Sequence, residues 1–500
     1  MQWFEFLPRA SSSRKRRLLL MTLAAAIVLL ISGLRSPAVA NTAKYYTELE
    51  FPPLAELQVP EYERFQLENG MVVYLVEDHE LPLVNGNALF RTGDRLEPSE
   101  QVGLAGLVGT VMRTGGTMSH PAAELNQILE ERAAAVETGM AASLGSANFS
   151  ALSEDLDEVF SLFAEVIREP AFEPDQVNLA QSQTRGAIAR RNDNPNKIAT
   201  REFRKLIYGY EHPYARTVEY ETLDNITRDD LIQFYQASVQ PEKTILGVVG
   251  DFEPTAMKAL IEERFGDWQA NAGLKANDEL PAVEQVNQGG LFFANQPQLN
   301  QSYVQIGHLG GMLDNPDYPA LSVVNSILNG FGGRLVQEVR ARQGLAYTVF
   351  GFWSPQFDHP GLFISGGQTS SETTVPFIQS VFKEIDKIRT IPVTAAELAY
   401  AKESVLNSFV FRFQSPTQIL ARLMRYEYYG YPEDFIFRYQ RDVEAVTVED
   451  ILRVAQTYLK PDDLVTMVVG NQDAIQPTLS TLKPDVKVTQ VDVTIPEPKT

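Results

Sequence analysis

The chain repeats itself, and that repeat restricts its architecture more than any other feature. Tyr208-Gly209-Tyr210, Asn225-Ile226-Thr227-Arg228-Asp229-Asp230-Leu231, Gln240-Pro241-Glu242-Lys243 and Leu246-Gly247-Val248-Val249-Gly250-Asp251 occur once in the first half. They return as Tyr429-Gly430-Tyr431, Ala445-Val446-Thr447-Val448-Glu449-Asp450-Ile451, Lys460-Pro461-Asp462-Asp463 and Thr466-Met467-Val468-Val469-Gly470-Asn471. The offset is constant from Thr227 to Thr447, Pro241 to Pro461 and Gly250 to Gly470. Solenoid repeats recur every 20 to 50 residues or so, and this unit is several times longer. The 500 residues also exceed what one hydrophobic core usually supports. Two homologous domains follow.

Local patterns give each domain its class. Phe65 to Val76 reads as two β runs joined at the Asn69-Gly70 turn, and Val84 to Phe90 as a further strand. Apolar residues fall at helical spacing over Pro121–Val136 and Leu156–Ile167. Thr227 supplies an N-cap hydroxyl, with acids behind it in the first turn of another helix. Strands and helices are interleaved without strict alternation, which predicts an α+β fold: two homologous domains, each a mostly antiparallel sheet packed with helices. The expected layout is residues 61–270 for the first domain, an Asn/Gln/Gly-rich linker over 271–300, a second domain over 301–475 and a loose tail over 476–500.

The first forty residues stand apart. Arg14-Lys15-Arg16-Arg17 precede an apolar run from Leu18 to Leu34, and Ala38-Val39-Ala40 is a small-residue cleavage pattern. A signal peptide, or an uncleaved N-terminal membrane anchor, is expected over 1–40, with export to the periplasm or anchoring at its face. The chain as a whole is acidic, with 43 Lys+Arg against 64 Asp+Glu and a net charge of −21; without the first forty residues, which hold six basic residues and one Glu, the balance is 37 against 63, or −26. Such a surface repels phosphate backbones, which argues against a nucleic-acid partner. Cysteine is absent, so disulfides and thiolate ligands are excluded and a transition metal would need His and carboxylates. The five histidines, His79, His120, His212, His308 and His359, include no pair at metal-ligating spacing. Gly330-Phe331-Gly332-Gly333 lacks the Lys-Ser/Thr ending of a phosphate loop and reads as a flexible turn.

Several phrases carry a resemblance. Leu67-Glu68-Asn69-Gly70-Met71 opens the first domain; Leu152-Ser153-Glu154-Asp155-Leu156, Pro170-Ala171-Phe172 and Asp193-Asn194-Pro195 follow. The second domain contains Gly333-Arg334-Leu335-Val336-Gln337-Glu338-Val339-Arg340 and then Gly344-Leu345-Ala346-Tyr347. Over residues 61–475 the chain resembles a half-size, processing-peptidase-like member of the pitrilysin/insulinase (inverzincin) metallopeptidase family. That resemblance implies that the two domains form half of a clam-shell chamber.

Active members of the family carry an inverted H-x-x-E-H motif, whose two His lie on one helical face and hold Zn²⁺ while the Glu serves as general base. The family phrase G-[LI]-A-H-x-x-E-H aligns with Gly103-Leu104-Ala105-Gly106-Leu107-Val108-Gly109-Thr110. The ligand positions are therefore Gly106 and Thr110, and the base position is Gly109. The distant Glu ligand falls on Ala187. None offers a metal a useful donor atom. What survives is a pair from the other half of the family's site, Arg340 and Tyr347, seven residues apart. The resemblance gives them substrate binding and support of the oxyanion across the chamber.

The resemblance thus implies a non-catalytic, substrate-binding subunit of a heterodimeric zinc metallopeptidase that acts on peptides or unfolded segments outside the cytoplasm. The chain itself would hold no cofactor, and a zinc-bearing paralogous subunit would supply the metal. The alternatives are a stand-alone peptide-binding or structural scaffold built on the same fold, and an active peptidase with an unrecognised metal site.

Overall fold

The computed structural model describes residues 59–271, 281–330, 332–411, 413–482 and 487–497. The signal peptide or anchor expected over 1–40 lies outside them, as does Phe331. No helix among the described residues is long and apolar enough to cross a membrane.

The first half contains β1 (Glu63–Gln66), β2 (Val72–Glu77), β3 (Leu83–Phe90), α1 (Leu104–Thr114), α2 (Ala122–Glu131), β4 (Ala135–Met140), β5 (Gly145–Leu152), α3 (Leu156–Arg168), α4 (Pro174–Ala189), α5 (Pro195–Tyr208), α6 (Tyr220–Asp224), α7 (Arg228–Ser238), β6 (Thr244–Gly250) and α8 (Pro254–Phe265). The second contains β7 (Gly290–Asn295), β8 (Gln301–Leu309), α9 (Tyr318–Leu328), a π-helical turn (Val336–Arg342), β9 (Ala346–Ser354), β10 (Leu362–Ser370), α10 (Thr374–Thr390), α11 (Ala395–Val410), α12 (Pro416–Tyr429), α13 (Phe435–Ala445), α14 (Val448–Tyr458), β11 (Val465–Gly470) and β12 (Val488–Gln490).

Each half builds a six-stranded sheet, ordered β1-β2-β6-β3-β5-β4 and β12-β7-β11-β8-β10-β9. Most neighbours are antiparallel; β2 with β6, β7 with β11 and β7 with β12 are parallel. The class expected from the sequence is the class observed. Its local signatures also recur: Thr227 caps α7 and Thr447 caps α14 in the same reciprocal box, with Asp230 and Asp450 accepting from the Thr backbone N–H at 2.8 and 3.0 Å.

Helix α5 belongs to the first half by sequence but lies on the second sheet, where Ile198, Ala199, Phe203, Leu206 and Ile207 meet Ala294, Val465, Met467 and Val469. Helix α12 makes the reciprocal contact, and its Leu420, Met424 and Tyr428 cover Tyr74, Val76, Leu89, Ile245 and Val249 of the first sheet. Glu427 on α12 adds a polar clasp by accepting from Arg64 at 3.0 Å and from the Tyr74 hydroxyl. Each sheet therefore has one face closed by its own helices and part of the other closed by a helix from the opposite half. This exchange makes the two halves one compact unit.

Three expectations about layout are corrected. The stretch 271–300 is not all linker, because Gly290–Asn295 is an apolar run that forms β7 inside the second sheet. The tail is not loose throughout: Val488–Gln490 pairs in parallel with β7 and Val491 is buried, covering an edge that would otherwise expose unpaired backbone groups. The helix expected over Pro121–Val136 stops at Glu131; Ala133 takes φ +50° and the chain turns into β4.

Candidate functional site: helix α1 and the Arg340–Tyr347 pair

Helix α1 is amphipathic and buries Leu104, Ala105, Leu107, Val108, Val111 and Met112. Gly106 and Thr110, one turn apart, form its exposed stripe. The Thr110 hydroxyl donates to the Gly106 carbonyl at 3.0 Å, so it is engaged with the helix backbone. Ala187 is exposed on α4, which packs beside α1. At the three positions that the resemblance aligns with metal ligands, these helices present a methyl group, a hydroxyl and a bare backbone.

Gly109, which the resemblance aligns with the general base, is closed by packing. A Cβ added to Gly109 would lie 2.4 Å from the Met140 nitrogen and 2.7 Å from the Gly139 carbonyl carbon. Helix and strand are locked at this spacing by the Thr138 hydroxyl, which donates to the Gly109 carbonyl at 2.6 Å, and by Arg113 Nε, which donates to the Val136 carbonyl at 2.8 Å. A glutamate does not fit at Gly109 without moving backbone. Among the described residues no group of three or more His, Asp or Glu could hold a metal ion. Zinc does not fit this site.

The histidines are engaged elsewhere. His120 contacts Glu165 at 2.8 Å, buried His308 accepts from the Lys460 N–H at 3.1 Å, and His359 stacks on Tyr214 at 3.5 Å between centroids.

The fold brings Arg340 and Tyr347 together. Arg340 leaves the π-helical turn and Tyr347 stands near the start of β9, the outermost strand of its sheet. The guanidinium carbon lies 5.8 Å from the Tyr347 ring centroid, a cation–π distance. Both side chains are exposed, Tyr347 to 73%. Of the arginines on this segment, Arg334 pairs with Glu397 at 2.9 Å and Arg342 pairs with Glu338. Arg340 has no ion-pair partner among the described residues. Its N–H donors and the Tyr347 hydroxyl are open to a ligand. The irregular backbone between them has a cause: Gly344 at φ +63° ends the π turn and Leu345 N donates to the Val339 carbonyl at 3.0 Å, which folds β9 back beside Arg340.

Family models match in two stretches: "Insulinase (Peptidase family M16)" over residues 72–219 and "Peptidase M16 inactive domain" over 225–405. The chain belongs to the M16 peptidase family. Among its relatives, an uncharacterized zinc protease of Mycobacterium leprae is 25% identical over 312 residues, covering 62% of this chain and 69% of that protein. The non-peptidase homolog YmxG of Helicobacter pylori is 23% identical over 403 residues, covering 79% and 91%. One relative is thus named for proteolysis and the other for its absence. Among solved structures, the peptidase M16 inactive domain from Pseudomonas fluorescens superposes with a TM-score of 0.75 at 24% identity, over 84% of this chain and 100% of that one, a likeness of fold.

Sequence reasoning missed Glu97. Its carboxyl group is buried and accepts the backbone N–H groups of Gly103 and Ala105, both at 3.0 Å, at the N-terminus of α1. Burial pushes its pKa up to about 7, against the pull of those two N–H groups. An acid six residues before Gly103 falls outside the spacing of a capping box, so no local signal announces it.

Proposed function

We propose that this M16 chain is a non-catalytic, substrate-binding subunit of a heterodimeric zinc metallopeptidase acting on peptides or unfolded segments outside the cytoplasm. The observation that carries this reading is Arg340, exposed without a carboxylate partner among the described residues and resting over the Tyr347 ring, in a chain whose helix α1 lacks the metal-binding residues that the resemblance calls for and is closed at Gly109. Loss of selection would erode both halves of an active site, yet the losses lie on one side. The guanidinium would donate to a peptide carbonyl and hold it in place, and the phenol would hydrogen-bond the oxygen on which negative charge develops. The metal would come from a paralogous subunit bearing H-x-x-E-H, whose own two domains would close the chamber. The basic and apolar leader supports action in the periplasm or anchoring at its membrane face.

The test is reconstitution. Mixing the chain with its zinc-bearing paralogue should create a peptidase activity that neither shows alone. Arg340→Ala should cut kcat/KM of the mixture by roughly 10² to 10³ and Tyr347→Phe by somewhat less, as for loss of an oxyanion donor. An inert mixture refutes the proposal. Activity that survives both substitutions would make the chain a scaffold.

A further inference from the structure

Although the protein carries a net charge of −21, one cavity is strongly basic. A space of about 360 Å³ opens between α5 and the 213–217 segment, lined by Lys197, Arg201, Arg204 and Arg216 together with Thr200, Thr217 and a single acid, Asp94. Arg201 is neutralised by Glu202 at 2.6 Å. The other three cations have no carboxylate within ion-pair distance among the described residues. Arg204 donates to the Tyr214 carbonyl at 2.6 Å. Arg216 donates to the carbonyls of Asp94 and Glu97 at 3.2 and 3.1 Å, which aims its guanidinium, while its Nε is buried with no hydrogen-bond partner. Lys197 is exposed at the rim. Elsewhere on this acidic chain arginines commonly find carboxylates, as Arg64, Arg132, Arg191 and Arg453 do.

With Asp94 as the one acid among the lining residues, the three cations are held together against their own repulsion. An anion in the cavity relieves that repulsion. Set against Asp94, the cations leave a surplus of about two charges, which matches a dianion better than a carboxylate. Guanidinium groups with neighbouring Thr hydroxyls suit tetrahedral oxygens. The volume exceeds one phosphate ion and leaves room for a small organic substituent.

We propose that the cavity formed by Lys197, Arg204 and Arg216 binds a phosphate dianion, either free or carried as the monoester of a small molecule. The site is separate from the Arg340–Tyr347 pair and stands whether or not the chain works in a peptidase. Through Arg216 it touches the Asp94–Glu97 turn that anchors the start of α1.

The full chain would be titrated calorimetrically with inorganic phosphate, glycerol 3-phosphate and acetate at constant ionic strength. Phosphate or its ester should bind with a Kd below about 1 mM and at least tenfold tighter than acetate. Binding of the ester alone would identify the small-molecule source, and equal binding of both the free ion. Arg204→Gln and Lys197→Gln should each weaken binding at least fivefold. The Lys197 side chain has no ion-pair or hydrogen-bond partner among the described residues, so its variant should melt with the unliganded wild type and keep the test valid if Arg204→Gln folds poorly. No saturation by about 10 mM phosphate, equal affinity for acetate, or affinity unchanged in Lys197→Gln would overturn the proposal.

Discussion

Two glycines three residues apart on α1 should respond to the same substitution with opposite signs. An added Cβ at Gly106 meets nothing within 4 Å. Gly106→Ala should therefore gain the helix-propensity difference, about 1 kcal/mol. At Gly109 the new methyl would sit 2.4 Å from the Met140 nitrogen, whereas ordinary contact begins at 3.4 Å, so α1 and β4 must separate by about 1 Å. The obstructing atoms of Met140 and Gly139 are all backbone, and no rotamer change relieves the clash. Such overpacking costs about 1–3 kcal/mol. The same shift stretches the 2.6 Å bond from Thr138 to the Gly109 carbonyl beyond hydrogen-bond range, losing about 1 kcal/mol and cancelling the gain in propensity. Gly109→Ala should thus lose about 1–3 kcal/mol, and the two variants should differ by about 2–4 kcal/mol in urea denaturation followed by circular dichroism. Equal stability would refute the close approach of α1 to β4. It would also remove the argument that the catalytic-base position is closed, and would reopen restoration of a zinc site by point substitution.

Three further outcomes follow from the same geometry. Glu97 has a pKa near 7 when folded and an ordinary carboxyl value near 4.5 when unfolded, so the folded chain binds more protons between them. Its contribution is full below about pH 4.5 and is lost as pH rises through 7, by at most about 3 kcal/mol; Glu97→Gln should flatten unfolding free energy over that window, and an unchanged slope would refute the assignment. Phe203→Ala on α5 should cost about 3–5 kcal/mol and raise hydrogen exchange in β11 of the opposite half, since Phe203 is fully buried against that sheet; loss confined to the first half would contradict the exchanged helices. Arg64→Ala should leave Glu427 and Tyr74 without their shared cation and loosen α12 on the first sheet by about 1 kcal/mol, read as increased exchange at Leu420 and Met424; unchanged exchange would discount the clasp.

What could be read before folding was whatever is encoded over short stretches. The capping boxes at Thr227 and Thr447, the turn at Asn69-Gly70 and the class of each half depend on neighbours within a few residues, and the constant offset of the repeat announced two domains. The absence of ligands at Gly106, Thr110 and Ala187 follows from residue identity alone. The spacing of Arg340 and Tyr347 was legible too, but their 5.8 Å contact depends on the π turn and on Gly344 folding β9 back. Residues far apart in sequence supplied the rest. The exchange of α5 and α12, the strand completed by Val488–Gln490, the closure of Gly109 against β4 and the meeting of Lys197, Arg204 and Arg216 over Asp94 each join segments whose local patterns are ordinary. Helical and strand periods specify which face of an element is apolar but not which sheet will cover it; that choice is made by packing between distant segments, and only the tertiary structure records it.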